Sequence, residues 1–321
     1  MDLGPGIPTG YVILRRTTVA LHVVVGAGAT GTATALQLAE AGEQVRLITR
    51  RGSGPDHPGI ETYAADATDA DRLTTLTRGA AVLFNCAMPA YDRWPADWPP
   101  LAAALLAAAE RTGADYVMLG NAYGYGPVDG PVTEDLPLAT TTIKGRVRVR
   151  MWTDALAAHD AGRVRVTEVR ASDFLGAGAA SLYTLTVVPQ LLAGVSPIAY
   201  PADLDAPHSW TYAADAARTL IAASRSDEAW GHAWHVPSTS DASARELTER
   251  LSKVAARDEA LLHSMSVDEL AELAAHDSIL AEVPEMSYLF RRPFVLSTAR
   301  TERVLGVTPT DLDAVLAETL S

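Results

Sequence analysis

The 321-residue sequence predicts an α/β fold: a doubly wound parallel Rossmann-type sheet with a smaller, mostly helical C-terminal substrate cap. Three observations carry this. Short apolar, β-rich runs alternate with Ala/Leu-rich helical stretches through the first half of the chain. The first of these runs ends on a glycine cluster that opens a helix. Past residue 175 the alternation weakens into mostly helical sequence punctuated by Pro284, Pro293 and Pro309.

In order, Val19 to Val25 is a continuous apolar run, as a strand buried on both faces requires. Thr32 to Ala41 reads as a helix stopped at Gly42. Val45 to Ile48, Ile60 to Ala64 and Ala81 to Phe84 are the next strands. Trp94 and Trp98, set among Pro95, Pro99 and Pro100, read as a semi-rigid loop, followed by a helix over Pro100 to Arg111. The small-residue face of that helix suits either the sheet or a second subunit. Tyr116 to Leu119 is a fifth strand, Thr141 to His159 a long helix and Val164 to Val169 a sixth strand. Further on, Ser181 to Leu192 and Tyr212 to Ser224 read as helices, Ile198 to Tyr200 and Ala233 to Val236 as extended. The expected organisation is a loose leader over 1–17 and a Rossmann-type domain over 18–178. About 205–237 completes the sheet, and 179–204 with 238–321 forms the cap.

Hydrophobic residues make up 48% and charged residues 20%, which describes a globular rather than a disordered chain. The formal charge of −13 argues against nucleic acid and anionic membrane as partners. The single cysteine, Cys86, excludes an internal disulfide and a cysteine-based zinc cage. No apolar run approaches the roughly 20 residues of a membrane span. Met1 to Gly10 lacks the order of a signal peptide, so a cytoplasmic protein without metal is the expectation.

The strongest local signal is Gly26-Ala27-Gly28-Ala29-Thr30-Gly31. Glycines there permit a tight turn, close approach to a pyrophosphate and helix-on-strand packing, while the free amides of the helix start face the charge. An NAD site usually carries an acid about 20 residues on. Here the second strand runs instead into Arg50 and Arg51, which suit a 2′-phosphate, so NADP(H) is the expected cofactor. Asp66 is placed to accept from the adenine amino group, or else to cap a helix, as Asp69 could. Cys86 and Ala87 follow the fourth strand where backbone passes beneath the cofactor. Cys86 has no basic neighbour in sequence to make it a nucleophile.

These motifs resemble the short-chain dehydrogenase/reductase superfamily, and within it the extended and atypical branch of NAD-dependent epimerases and dehydratases. The resemblance covers nearly everything from Val19 onward. It rests on the glycine loop, Asp66, Asn85-Cys86-Ala87, Asn121-Ala122-Tyr123-Gly124-Tyr125-Gly126 and Lys144. It continues through Arg170-Ala171-Ser172-Asp173-Phe174, His208-Ser209-Trp210-Thr211-Tyr212 and Leu305-Gly306-Val307-Thr308-Pro309. The resemblance implies a Tyr-x-x-x-Lys pair on the long helix, lysine holding the nicotinamide ribose and tyrosine exchanging a proton with the substrate. Lys144 matches the lysine. Thr140 stands where the tyrosine would be, and Asn121 where a serine or threonine would be.

The candidate catalytic set is therefore Lys144, Tyr123, Asn121 and Thr140. Tyr123 could supply a phenol from the end of the fifth strand, Asn121 could orient a carbonyl, and Thr140 could donate a hydrogen bond. Tyr125 is either structural or a substrate contact. Arg146, Arg148 and Arg150 read as solvated. Met88, Trp94, Asp173, His208 and Tyr288 are the remaining candidate substrate contacts, and His22 reads as a satisfied core residue. The leading reading is an NADP(H)-dependent oxidoreductase or epimerase acting on a carbonyl or hydroxyl of a small molecule of secondary-metabolite kind. The resemblance also suggests a homodimer. A non-redox cyclase, isomerase or dehydratase is the alternative, as is a cofactor-sensing regulator similar to NmrA-like proteins.

Overall fold

The computed structural model describes residues 19–321, so the expected leader lies outside the described residues. The chain opens with β1 (Leu21–Val25), α1 (Ala29–Glu40), β2 (Gln44–Thr49), β3 (Ile60–Ala64), α2 (Ala70–Thr77) and β4 (Val82–Asn85). It continues through α3 (Trp94–Thr112), β5 (Asp115–Asn121), α4 (Ile143–Asp160) and β6 (Val166–Ala171). After β7 (Asp173–Leu175), α5 (Leu182–Leu192), β8 (Ile198–Tyr200), β9 (Trp210–Tyr212) and α6 (Ala213–Arg225), β10 (Ala233–His235) returns to the sheet. The remainder is α7 (Ala244–Val254), β11 (Leu262–Ser264), α8 (Val267–Ala274), α9 (Ala299–Leu305) and α10 (Leu312–Thr319).

Seven strands lie in the order β10-β6-β5-β4-β1-β2-β3, every pair parallel. The order reverses beside β1, so the ends of β1 and β4 diverge and leave a crevice at their carboxyl edge. Val23 and Val25 face the layer of α2, α3 and α4, whereas Val24 faces α1 and α6. All three are at most 2% exposed, which explains why β1 is apolar without alternation. Burying such a side chain contributes about 1.5–3 kcal/mol.

Two boundaries differ from the sequence reading for identifiable reasons. The Trp94–Pro100 stretch is not a loop but the start of α3. Pro95 sits in the first turn, where no intrahelical donor is lost, and Pro99 and Pro100 are carried inside the helix. Trp94 and Trp98 are 1% and 0% exposed, and this burial holds the proline-rich turns helical. Helix α4 starts at Ile143, because the Thr142 side chain accepts from the Gly145 amide and caps it. Thr140 therefore precedes the helix. Of the small residues of α3, Ala104, Ala108 and Ala109 pack into the core, while Ala102, Ala103 and Ala107 line a surface groove of about 820 Å³ shared with α4.

The cap has its own core around Tyr183, Val187, Leu191, Trp210, Leu247 and Leu251. A smaller cluster of Ala122, Tyr125, Met286, Leu289, Phe294 and Leu296 joins it to the sheet.

Candidate functional site

A cavity of about 810 Å³ opens where β1 and β4 diverge, lined by Gly26, Ala27, Gly28, Arg50, Arg51, Asp66, Cys86, Ala87 and Met88 among others. The three loop glycines have different reasons to be glycine. A Cβ on Gly26, which sits at φ +101°, would lie 2.5 Å from the Cys86 carbonyl oxygen. One on Gly31 would lie 2.0 Å from the Gly26 carbonyl oxygen. Both are demanded by the loop's own packing. A Cβ on Gly28 would meet nothing within 4 Å among the described residues, so none of them requires glycine there. Gly28 lines the cavity and heads α1, which has no side-chain cap among the described residues and no acid in its first turn, so the first amides keep their positive partial charge at this edge. Thr30 is buried behind the loop and Ala29 is the first residue of the helix.

Arg50 and Arg51 line the far end, exposed, and neither forms an ion pair among the described residues. Asp66 lines the same end. Its carboxylate accepts from the Thr68 amide at 2.9 Å and hydroxyl at 2.8 Å, which holds its pKa down. Asp69, not Asp66, caps α2. Burial pushes the Cys86 thiol up to about 12, so it stays protonated. These groups suit a dinucleotide: small residues where the backbone must approach a pyrophosphate, unpaired amides, and two cations at one end.

The expected catalytic residues lie beyond Met88, and the structure places them separately. The hydroxyls of Tyr91 and Tyr123 are 3.3 Å apart, and the Tyr123 ring stacks on Trp94. Burial and the negative charge of Asp173 push both phenols up, so each is a proton donor and not a base at neutral pH. The Asn121 side-chain oxygen accepts from the Tyr123 amide at 3.2 Å, fixing the turn that follows β5. Tyr288 donates to the Tyr123 carbonyl at 3.2 Å. Thr140, off the helix, shares a hydrogen bond with Thr142 at 3.0 Å.

Lys144 is 1% exposed and does not line the cavity. Its ammonium binds Glu282 and, at 3.2 Å, Glu285, and lies over the Tyr91 ring. Arg148 corrects the sequence reading: it is 4% exposed, not solvated, and shares the buried face of α4 with Lys144 one turn away. Arg146 and Arg150 do face outward. The residue pair on one helix face at spacing four is thus Lys144 and Arg148, not Thr140 and Lys144.

Three candidate substrate contacts are buried instead. Trp94 belongs to the core. Tyr125, 1% exposed, accepts from Arg170 at 2.6 Å and lies 2.8 Å from His235 Nε2. Arg170 is paired with Glu168 at 2.7 Å, so a closed polar network runs beneath the end of β5. His208 is buried, with Nδ1 3.2 Å from the Leu289 carbonyl and Nε2 2.7 Å from Asp173. A carbonyl only accepts, so Nδ1 donates to Leu289, which turns Nε2 toward the Asp173 carboxylate. Asp173 itself remains partly exposed. His22 is buried, but its Nδ1 has no partner, so it is a core residue without being a satisfied one. The sequence sets Glu282 and Glu285 in a charged cluster near its end, with Tyr288, Arg291 and Arg292, that could line the cap, but carries no sign that they or Tyr91 meet at this site.

Among the described residues no helix is long and apolar enough to cross a membrane. The chain is similar to several solved structures. MoeE5 in complex with UDP-glucuronic acid and NAD shares 19% identity, with 94% of this chain and 97% of that one covered and a TM-score of 0.75. The epimerase Mth375 from Methanothermobacter thermautotrophicus shares 17%, with 94% and 91% covered and a TM-score of 0.77. UDP-glucuronic acid 4-epimerase from Bacillus cereus in complex with NAD shares 17%, with 94% and 95% covered and a TM-score of 0.75. No curated protein matches the chain by sequence. The model of the NAD dependent epimerase/dehydratase family matches residues 22–236, two-thirds of the chain and the whole of the sheet. The chain therefore belongs to the NAD dependent epimerase/dehydratase family, and is an enzyme built to work with a nicotinamide dinucleotide.

Proposed function

We propose that this protein is an NADP(H)-dependent oxidoreductase or epimerase acting on a carbonyl or hydroxyl group of a small molecule. The observation that carries the cofactor choice is the pair of exposed guanidiniums, Arg50 and Arg51, lining the cavity just past β2 without a carboxylate partner. An acid in that place would hold a ribose diol, whereas two free guanidiniums match the charge and geometry of a 2′-phosphate. Gly28 and the open amides of α1 take the pyrophosphate, and the free oxygen of Asp66 accepts from the adenine amino group.

When bound, the nicotinamide ring accepts or donates a hydride at C4. The protein's part is to bind, orient and handle the proton. Tyr123 and Tyr91 each hold a proton at the phenolic oxygen, and the pair donates to a substrate oxygen as negative charge develops there. Asn121 offers its remaining amide N–H groups to the same region. Asp173, held by His208 and partly exposed, raises both phenols by its charge and positions the substrate hydroxyl by accepting from it.

Calorimetric titration with NADPH and NADH tests the cofactor assignment. Replacing Arg50 and Arg51 by Ala removes charge-assisted hydrogen bonds of about 1.5–3 kcal/mol, so NADPH affinity falls about tenfold or more. NADH affinity changes little. Equal loss of both cofactors overturns the 2′-phosphate assignment. Anaerobic incubation with NADPH and candidate ketones, followed by nicotinamide absorbance, tests the redox reaction.

A further inference from the structure

Lys144 and Arg148 share one face of α4, yet their surroundings treat them oppositely. Lys144 has two carboxylates. Among the described residues Arg148 has none: Nη1 lies 3.4 Å from the Leu119 carbonyl, Nη2 lies 3.8 Å from the Met88 sulfur, and Nε has no acceptor. Its guanidinium carbon sits 4.6 Å from the Trp94 ring centre and 4.4 Å from that of Trp98. Two aromatic faces stabilise a cation but accept none of its in-plane N–H groups. The indole N–H groups of Trp94 and Trp98 are likewise buried without a partner among the described residues. Three neighbouring side chains therefore offer donors only, in a place where unpaired donors are costly. Burial pushes the Arg148 pKa down to about 10, against the opposing influence of Glu168 and the phenols of Tyr123, Tyr116 and Tyr91.

The position of this cluster identifies what it lacks. Arg148, like Lys144, does not itself line the cofactor cavity, but Met88, which covers it, is 55% exposed and does, and Leu119 stands near the carboxyl end of β5. Arg50, Arg51 and Asp66 mark the adenosine end of that cavity, with the glycine loop between them and Met88. A dinucleotide held by its 2′-phosphate and pyrophosphate brings its other half to the Met88 side. Met88 is unbranched and tied to Arg148 only through a weak acceptor, so it can turn aside at little cost.

We propose that Arg148 binds an acceptor oxygen, ribose hydroxyl or carboxamide, on the nicotinamide half of the cofactor, with Trp94 and Trp98 fixing the guanidinium plane. This rests on the dinucleotide reading above. It assigns Arg148 the cofactor-holding role that the family resemblance implies for Lys144, and it leaves Lys144 to its two glutamates.

The test compares binding of NADPH with that of adenosine 2′,5′-bisphosphate, which lacks the nicotinamide half, by calorimetry on the full chain. Arg148→Met should weaken NADPH about tenfold or more and leave the bisphosphate unchanged. Its ligand-free thermal midpoint should hold or rise, because an unpaired buried charge is replaced by an apolar side chain of similar length. Arg148→Lys, which keeps charge and stem should Met disturb the fold, should recover part of the NADPH affinity. Equal loss of both ligands, or loss of neither, makes Arg148 a structural cation and overturns the proposal. A lower melting point without selective loss of NADPH does the same. Wild-type protein that binds the bisphosphate but not NADPH refutes the proposal alone. Wild-type protein that binds neither refutes the dinucleotide reading and this proposal with it.

Discussion

Glu285 holds Lys144 from two directions. Its carboxylate accepts from the Lys144 backbone amide at 3.1 Å and from its ammonium at 3.2 Å, and it also takes the Ile143 amide. A residue from the last fifth of the sequence thus covers the open amides of α4 and half-neutralises the buried cation beneath them. Glu282 completes the neutralisation. Removing both carboxylates leaves Lys144 buried and unpaired, which costs about 3–5 kcal/mol. Glu282→Gln with Glu285→Gln should accordingly lower the denaturant midpoint. Adding Lys144→Met to that double variant should restore most of the loss, a recovery that chemical denaturation would register.

The glycine loop separates a packing requirement from a ligand requirement. Gly28→Ala should melt like the wild type, since its Cβ meets nothing in the protein, yet should bind NADPH more weakly. Gly31→Ala forces a methyl within 2.0 Å of the Gly26 carbonyl, so the helix must shift. Its thermal midpoint should fall, at a cost of about 1–3 kcal/mol. If both variants lose stability alike, the distinction between the two glycines is wrong.

His235 sets a pH dependence whose sign can be worked out. Nε2 meets the Tyr125 hydroxyl at 2.8 Å and Nδ1 the Ser297 carbonyl at 2.9 Å, with Arg170 behind the tyrosine and Glu134 accepting from the His235 amide at 3.3 Å. Burial, reinforced by the Arg170 charge, brings the imidazole from 6.5 down to about 3. Below 6.5 the unfolded chain binds a proton that the folded chain refuses, so stability is lost as pH falls from 6.5 towards 3. The slope is about 1.4 kcal/mol per pH unit. His235→Gln is less stable at neutral pH but should lose that slope. Urea unfolding between pH 7 and 4 would show the wild-type and variant curves converging, and parallel curves would exclude the assignment.

Much of the sheet was legible because each strand carries its own signal. Ile60–Ala64 falls where the sequence puts it, as does Ile198–Tyr200 outside the main sheet, and the glycine loop is self-contained in six residues. Failures came where local signals point the wrong way. Prolines around Trp94 signal a loop, but burial of two indoles keeps the turns helical. Lys144 matches a lysine by identity, and that match hid the Lys144–Arg148 pair. Gly145 was the available clue. It is a glycine inside a helix, where a Cβ would lie 2.1 Å from Thr140 Oγ1 and 2.7 Å from the Tyr123 carbonyl. Other partners could not be read locally at all: Tyr125 meets His235 across 110 residues, and Lys144 meets Glu285 across 141.

The return of β10 to the sheet has a consequence for how the protein can be made. Every residue of β6 is buried, and one of its edges is covered only by Ala233–His235. On the ribosome, that edge waits unpaired while more than sixty residues of intervening chain emerge. Truncation after the sixth strand, however natural the boundary looks, leaves the backbone edge of a fully buried strand open and invites pairing with another chain. The cofactor half is therefore not a portable module. Expression of either half alone should give inclusion bodies, and co-expression of two fragments should succeed only if the first extends past His235.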